Sequence, residues 1–529
     1  MAFLDKLHQA THFYYQPIKF CEEPLTKEPV MKKIKLKILA LAAILSVTTA
    51  PYASATALIS GDTAKSTQNG IGGSGTITQT VGMNADTATL NQDENSDSET
   101  ATITQYGTVA GGLNALIYQN GSNDIATISQ SGNGGNAFIH QQTYGYSNTA
   151  SILQDASSTA EYAEINQYAS GSYYSPSSGE NTAYINQIGG TSDNASVNQS
   201  GGENEATISQ NRTYADQAFL YQDGYSNLAT TLQGGNTDTY FGPSQSDITS
   251  ISQQGSDNQA WAGQAFTTGE QIYIAQAWGG SSNFAWVGQW SGTADIATVN
   301  QATNSNYTEI AQNYSNANTA FISQNYHYYL SGSNNRAFIG QNNSANGSAS
   351  IEQEGSYNNA DINQTETAWS EASISQYGNS NSGNIDQGGS SEHASIIQIG
   401  FGNNGNISQN GASDSASINQ ESDSNIASIS QLNTSSEQSS IAQSGGAANN
   451  ANIRQLFGSN DQATITQNGD TNTATIEQGT FESFGSNFCQ ATITQNGSGN
   501  TATIDQIGAN KVASITQNGS GNNLSITQH

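Results

Sequence analysis

Catalysis needs nucleophiles, acids and bases held together, and the side chains able to supply them are scattered here. His140, His327, His393 and His529 are spread over almost 400 positions, without the short spacings that hold a metal ion. Of the two cysteines, Cys21 and Cys489, only the second lies in the body of the chain, beside a loop, and it reads as a bystander thiol. No recurring pair of carboxylates suggests acid-base work, and the G-G-x-G-x-D repeat of calcium-binding solenoids does not recur. Most of the acids are expected at outward or turn positions, where they keep the chain soluble and restrain lateral aggregation. These residues assign no catalytic, cofactor or metal site, and the expected role is not enzymatic.

Composition points the same way. Only 10% of the 529 residues are charged, against about 25% in ordinary domains, and the mean hydropathy is -0.53. The polarity therefore comes from Asn, Gln, Ser, Thr and Gly. A formal charge of -30 makes nucleic acid and anionic lipid poor partners. Residues 1–30 read as a leader or mis-assigned start. Within 31–55, the basic Met31–Lys37, the apolar Ile38–Val47 and the small-x-small Ala53-Ser54-Ala55 read as a secretory signal peptide. The apolar run is about half of the roughly 20 residues that a spanning helix needs. Loss of residues 1–55 would remove seven of the 12 basic residues but four of the 42 acids, leaving a charge of about -33. That charge predicts assembly that accelerates as pH falls toward 4. With Cys489 alone remaining, no intrachain disulfide holds the exported chain together.

Organisation comes from repetition. The pattern A-x-I-x-Q occurs 37 times, counted by its terminal Gln from Gln79 to Gln528, and 26 of the 36 intervals are 11 or 12 residues. Two positions before the Gln, 35 copies carry Ile, Leu or Val, the exceptions being Thr231 and Ala262. Alternation with period two is the mark of a strand, so Asn500, Ala502, Ile504 and Gln506 share an inner face while Thr501, Thr503 and Asp505 face out. Gly- and Asn-rich links such as Asn496–Gly499 tolerate the positive φ of tight turns. A strand, a turn, a returning strand and a turn use about 23 residues. The expected fold is thus all-β, a β-solenoid or cross-β stack of about 18 strand-turn-strand rungs, on the order of 85 Å long at the cross-β spacing.

In such a stack Ile lies on Ile, Ala on Ala, and the amides hydrogen-bond from rung to rung. The ladder and core residues of the C-terminal units are Asn472, Ala474, Ile476, Gln478, Asn500, Ala502, Ile504, Gln506, Ala513, Ile515, Gln517, Ile526 and Gln528. Four long intervals, Tyr168–Gly179, Gly234–Ser246, Asn325–Ser333 and Thr480–Phe488, are expected as surface loops, two of them holding Pro176 and Pro243. The last unit, Leu524–Gln528, is followed by nothing that looks like a cap, so an open edge able to recruit another chain is expected.

Gln495-Asn496-Gly497-Ser498-Gly499-Asn500-Thr501-Ala502-Thr503-Ile504-Asp505-Gln506 resembles the curlin repeat, Q-x-G-x-x-N-x-A-x-x-x-Q, as does Gln467 to Gln478. The resemblance runs through roughly 76–529, with drift where Asp124 and Asp414 replace the Asn and Gly383, Gly405 and Leu524 replace the Ala. It implies a subunit of a bacterial extracellular amyloid fibre at the cell surface, used in adhesion and biofilm matrix. The implied partners are copies of itself, other curlin-type subunits, and an outer-membrane secretion pore with its accessory proteins. Known family subunits are much shorter. The polar segment 56–75 resembles the leader that directs such subunits to their pore.

Outward aromatics are the one local departure. Phe219, Trp261, Trp286, Phe321 and Phe338 suggest either cross-strand stacking that stiffens a sheet or an adhesive flank. Two rival functions belong to monomeric secreted solenoids. An ice-binding face would use Thr-x-Thr, found only at Thr76/Thr78, Thr102/Thr104, Thr464/Thr466 and Thr492/Thr494. A carbohydrate-active β-helix would need acids or His clustered in a cleft.

Overall fold

The computed structural model describes residues 54–56, 62–69, 72–80, 86–93, 98–107, 112–142, 147–168, 180–234, 244–277, 280–324, 332–479 and 486–529. The leader, nearly all of the signal peptide and the centres of the four long intervals, with Pro176 and Pro243, lie outside the described residues. Every regular element among the described residues is a strand, 39 in all. They form two parallel sheets of 20 and 19 strands, the chain alternating between them at every turn. Each strand therefore pairs with the strand two places before and the strand two places after it. Thr473–Gln478 lies on Thr501–Gln506, and Gln490–Asn496 lies on Val512–Asn518. The molecule is a parallel β-solenoid of about 18 turns, as the sequence period requires.

The pairing is in register at all but one place, and the repeat explains why. A slip of one residue would turn every Ala, Ile and Gln outward, so only like-on-like pairing keeps the apolar face covered. Ala183 lies on Ala206, Ile185 on Ile208 and Gln187 on Gln210, and the same three columns run through both sheets. The Ala and Ile columns of the two sheets make one continuous core, with most members 0–2% exposed. Full burial of one Ile contributes about 1.5–3 kcal/mol. Parallel sheets normally need both faces covered. Here each covers the other's inner face, and the outer faces carry the polar half of the alternation. Thr231 and Ala262, the two departures from the branched aliphatic, are neighbours on adjacent rungs and both are fully buried. One register shift occurs between Asn410 and Gly411, opposite Leu432 and Thr434, where Asn433 with φ 54° is the extra residue.

The stack begins earlier than the Ile pattern marks. Thr63–Gln68 pairs with Thr87–Gln92, placing Ala64 on Ala88 and Gln68 on Gln92, with Ser66 at the Ile position. The turns also differ from the expectation that Gly and Asn take the left-handed positions. Ala215 (φ 58°), Ala294 (φ 58°), Tyr357 (φ 58°) and Trp369 (φ 60°) hold them too. Such residues avoid this region in isolation, at a cost of roughly 1–2 kcal/mol. A rung-to-rung bond offsets that cost: the amide of Ala215 donates to Thr191 O at 2.9 Å, and that of Trp369 to Ala345 O at 2.9 Å.

Candidate functional site

Two unbroken glutamine ladders run inside the solenoid. In one, Gln79 Nε2 donates to Gln105 Oε1 at 2.8 Å and Gln105 to Gln130 at 2.9 Å, and the chain of donors ends at Gln506 on Gln528 at 2.9 Å. In the other, Gln68 donates to Gln92 at 2.6 Å, and the last step is Gln495 to Gln517 at 2.8 Å. Many of these amides also reach a main-chain carbonyl of the facing sheet, as Gln222 Nε2 does at Glu205 and Asn227, both 3.0 Å. Buried amides, costly when unpaired, are satisfied in this way. Every ladder donor points toward the C-terminal rung, so the ladder has a direction.

The inward position two residues before the Ala makes a third column in each sheet, and the two columns differ. In the 20-stranded sheet it is Asn on every rung from Asn148 to Asn522. Each Oδ1 accepts the main-chain N–H of the next Asn, as at Asn204 to Asn181, 3.1 Å, and Nδ2 can donate to a turn carbonyl one rung on, as Asn472 does at Gly497 O, 2.8 Å. In the 19-stranded sheet the same position carries Glu161, Asp193, Asp216, Asp247, Glu270 and Asp295 on successive rungs, then Asn318, Gly347 and Ser370, then Glu392, Asp414, Glu437 and Asp461. Each Asp keeps the Asn-like bond: Asp216 N donates to Asp193 Oδ1 at 3.0 Å and Glu437 N to Asp414 Oδ1 at 2.9 Å.

The second carboxylate oxygen is where acid and amide part. Asn offers an N–H there and needs a carbonyl, whereas Asp offers a lone pair and needs a donor. The donor is a hydroxyl on the next rung, three residues before its column residue. Thr213, Ser244, Thr267, Ser315, Thr434 and Ser486 donate to Asp193, Asp216, Asp247, Asp295, Asp414 and Asp461 respectively. Wherever the column residue is Glu, that place on the next rung is Gly190, Gly292, Gly411 or Gly458. The extra methylene of Glu brings its carboxyl into the room that a side chain would take. At Gly292 the Glu270 carboxyl is the first group a Cβ would meet; at Gly190 and Gly458 the Oδ2 of Asp193 or Asp461 on the same rung is nearer, with Glu161 Oε1 at 2.8 Å and Glu437 Oε1 at 3.0 Å, and the amide of Gly411 donates to Glu392 Oε1 at 2.6 Å. All four Glu stand over Gly and all six Asp over Ser or Thr.

These ten acids are exceptions to the expectation that most carboxylates face outward or lie in turns. All ten are 0–1% exposed, because the position shares strand parity with Ala, Ile and Gln. That parity was readable from Asn500 and its neighbours and was not extended to the acids. Burial pushes Glu161 up to about 8, Asp216 to about 7 and Asp247 to about 6. It drives Glu270 to about 10, with the Asp295 carboxylate adding to the effect, Glu392 to about 8 and Glu437 to about 9.

The C-terminal ladder and core residues take the places expected of them. Asn472, Ala474, Ile476, Gln478, Asn500, Ala502, Ile504 and Gln506 are buried in the 20-stranded sheet, and Ala513, Ile515 and Gln517 in the other. Ile526 and Gln528 are partly exposed on the final strand, which pairs only with Thr501–Gln506. The aromatics divide between opposite faces: Trp261, Trp286 and Phe338 stand on the 20-stranded sheet and Phe219 and Phe321 on the other. Trp261 and Trp286 stack at 5.1 Å and 4°, with Trp290 at 5.4 Å from Trp286. Trp261 also covers Gly263, where a Cβ would meet its Cζ3 at 2.9 Å. Replacing Trp261 and Trp286 by Ser is expected to cost about 1–2 kcal/mol through lost stacking. Hydrogen exchange of strands Gln259–Ala265 and Phe284–Trp290 in the variant checks this, and unchanged protection would reject the stacking role.

The histidines stay apart. His140 lies between the rings of Tyr118 and Tyr168, at 4.8 and 5.5 Å, and its burial lowers its pKa. His393 is 3.6 Å from Glu371, His529 is 4.0 Å from Asp505, and His327 lies outside the described residues. Cys489 is fully buried in the acid column between Asp461 and Lys511, with Sγ on Gly508 O at 3.2 Å. Among the described residues no three His, Cys, Asp or Glu converge on a metal site, and no helix is long and apolar enough to cross a membrane.

Comparison with curated proteins finds no match to the chain. The model of one family, the curlin associated repeat, matches residues 490–519 and 500–529, which hold the strands Gln490–Asn496, Thr501–Gln506, Val512–Asn518 and Asn523–Gln528. This match relates residues 490–529, the last four strands of the solenoid, to the curlin repeat.

Proposed function

We propose that this chain is a structural subunit of a curli-like extracellular amyloid fibre on a bacterial surface, serving adhesion and biofilm matrix rather than catalysis. One observation carries the reading: neighbouring rungs present one another the same register of Ala, Ile and Gln, so the terminal rung of another copy can continue the same three columns. The ladder's direction supports growth by head-to-tail stacking, a heterologous contact that does not close on itself. At one end Gln79 Oε1 is buried without a partner, beneath the short strand Ser54–Thr56 that pairs with Thr76–Thr78. At the other, Gln528 Nε2 reaches Val512 O at 3.3 Å, with no further ladder amide among the described residues. Copies of the chain and other curlin-type subunits would meet at these ends, after export through an outer-membrane pore with accessory proteins.

Fragmented fibres added to fresh protein are expected to abolish most of the lag in thioflavin fluorescence, and aligned fibres to give the 4.7–4.8 Å reflection along their axis. A chain that remains monomeric with seeds present would overturn the proposal.

A further inference from the structure

The acid runs Glu161–Asp295 and Glu392–Asp461 place a carboxyl on each successive rung, about 4.8 Å from the next. The Asp members are supplied with donors for both oxygens, whereas Glu392 and Glu437 have one main-chain donor each, Gly411 N at 2.6 Å and Asp461 N at 2.8 Å. Both oxygens of Glu161, both of Glu270, and one each of Glu392 and Glu437 have no hydrogen-bond partner, and all four residues are 0–1% exposed. A carboxylate left so in a dry interior is strongly disfavoured, whereas a neutral carboxyl is tolerated. Beside Glu161 and Glu437 the space is filled to within 3.0 Å of where a glycine Cβ would stand, which leaves little room for a metal ion and its oxygen shell. A proton needs no room.

The charged groups acting on these side chains are other carboxylates. Asp155 and Asp193 face Glu161, Asp193 and Asp247 face Asp216, Asp247 and Asp295 face Glu270, Asp414 faces Glu392, and Asp414 and Asp461 face Glu437. The facing sheet contributes ladder amides, Gln210 Nε2 on Asp216 O at 3.2 Å and Gln233 Nε2 on Asp247 O at 3.4 Å. Arg212 is solvent-exposed beside Gly189, and Lys511, two rungs past Asp461, directs its Nζ to His529 O at 3.2 Å.

We propose that the two columns are proton-binding sites loaded as the rungs close, so that formation of the solenoid draws protons from solution and is favoured in mild acid. Each loading step adds one proton from water or buffer to a carboxylate oxygen and breaks no other bond of the chain. Folded-state values of about 8, 10, 8 and 9 for Glu161, Glu270, Glu392 and Glu437 stand above the 4.5 of a free Glu. The folded chain therefore holds more protons than the unfolded chain above pH 4.5, and stability falls as pH rises. The full contribution is present below about pH 4.5 and is lost progressively from there to about pH 10, a loss that continues well above the window that net charge alone predicts.

Dilution of unfolded protein into weakly buffered solution at pH 7 in a pH-stat tests this. About four protons per chain are expected to be taken up, one for each Glu; uptake below about one would overturn the proposal. The variant carrying Glu161→Gln, Glu270→Gln, Glu392→Gln and Glu437→Gln is expected to lose this uptake and most of the pH dependence between 6 and 10. Retention of the full slope would also overturn it, and if the variant does not fold, the measurement on the unmodified chain still decides. Calcium chloride that restores folding at pH 9 without proton uptake would make the columns cation sites and end the proposal. The readout is folding rather than fibre growth, so failed seeding with intact proton uptake would strike the fibre reading alone.

Discussion

Replacing Gln341 by Leu is expected to split the solenoid near its middle. Gln341 is fully buried, accepts from Gln312 at 2.8 Å, and donates to Gln364 at 2.8 Å and to Thr319 O at 3.4 Å. Leucine fills similar volume but leaves Gln364 Oε1 without its donor and Gln312 Nε2 with only long contacts to Ile296 O and Asn318 O, at 3.4 and 3.5 Å. Two groups orphaned in a dry interior cost about 1–3 kcal/mol each, about 2–6 kcal/mol together. In a stack where each rung touches only its neighbours, that loss stays local and divides one cooperative array into two. Hydrogen exchange is therefore expected to accelerate in Tyr307–Asn313, Arg336–Asn342 and Asn359–Thr365 while distant rungs keep their protection. Gln217→Leu, at an exposed position without side-chain bonds, is expected to change stability by less than about 0.5 kcal/mol. Equal effects of the two variants would remove the ladder from the account of stability.

The ladder was legible because a period-two strand repeated every 11 or 12 residues admits a single inward set. Ala474, Ile476 and Gln478 could be assigned without coordinates, and the parallel pairing of every second strand follows from the same period. The acid column was not read, although the same parity applies to it. Glu270 and Asp295 stand where the repeat usually has Asn, and the type of a charged residue near a turn suggests solvation where its phase in the strand puts it inside. The sheet to which each aromatic belongs is hidden for a different reason. Whether Phe219 and Trp261 share a face depends on which sheet each strand joins, and that requires counting every strand before them, including Thr63–Gln68, which lacks the Ile that marks the others. The left-handed Tyr357 and Trp369 carry no local signal at all, since a rung-to-rung hydrogen bond imposes their conformation.

The match of column residue to the rung that follows explains how so repetitive a chain chooses one register. Ala-on-Ala and Ile-on-Ile contacts are the same for any whole-rung shift, so the core cannot tell rung from rung. The turn can. A Glu brought over Thr267, or an Asp brought over Gly292, would leave either a clash or a carboxylate without its hydroxyl, and such penalties act against wrong pairings rather than for the right one. Because the partners sit on adjacent rungs, the selection operates as each new turn is laid down.

That code makes a double-mutant cycle at Glu270 and Gly292 the sharpest test of the turn. Gly292→Thr places side-chain atoms where the Glu270 carboxyl lies, and overpacking of this kind costs about 1–3 kcal/mol. Glu270→Asp withdraws the carboxyl by one methylene and leaves it facing a glycine with no hydroxyl to offer, at a further cost of about 1–3 kcal/mol for the unsatisfied group. The double variant rebuilds the pair seen at Asp247 and Thr267, where the hydroxyl donates to the second carboxylate oxygen and the main-chain N–H of Glu270 donates to the first at 2.9 Å. The two substitutions together are therefore expected to be less harmful than the sum of the two, with a coupling of about 1–3 kcal/mol toward recovery, while the contacts of residue 292 with Asp295 Oδ2 and Ser315 O, 2.6 and 2.9 Å from a Cβ, remain. Protection of the amides in Gln271–Gln276 and Ile296–Gln301 reads the outcome. Additive losses would show that Glu-over-Gly and Asp-over-Thr are coincidences of composition, and the choice of register would then have to come from the lengths of the turns.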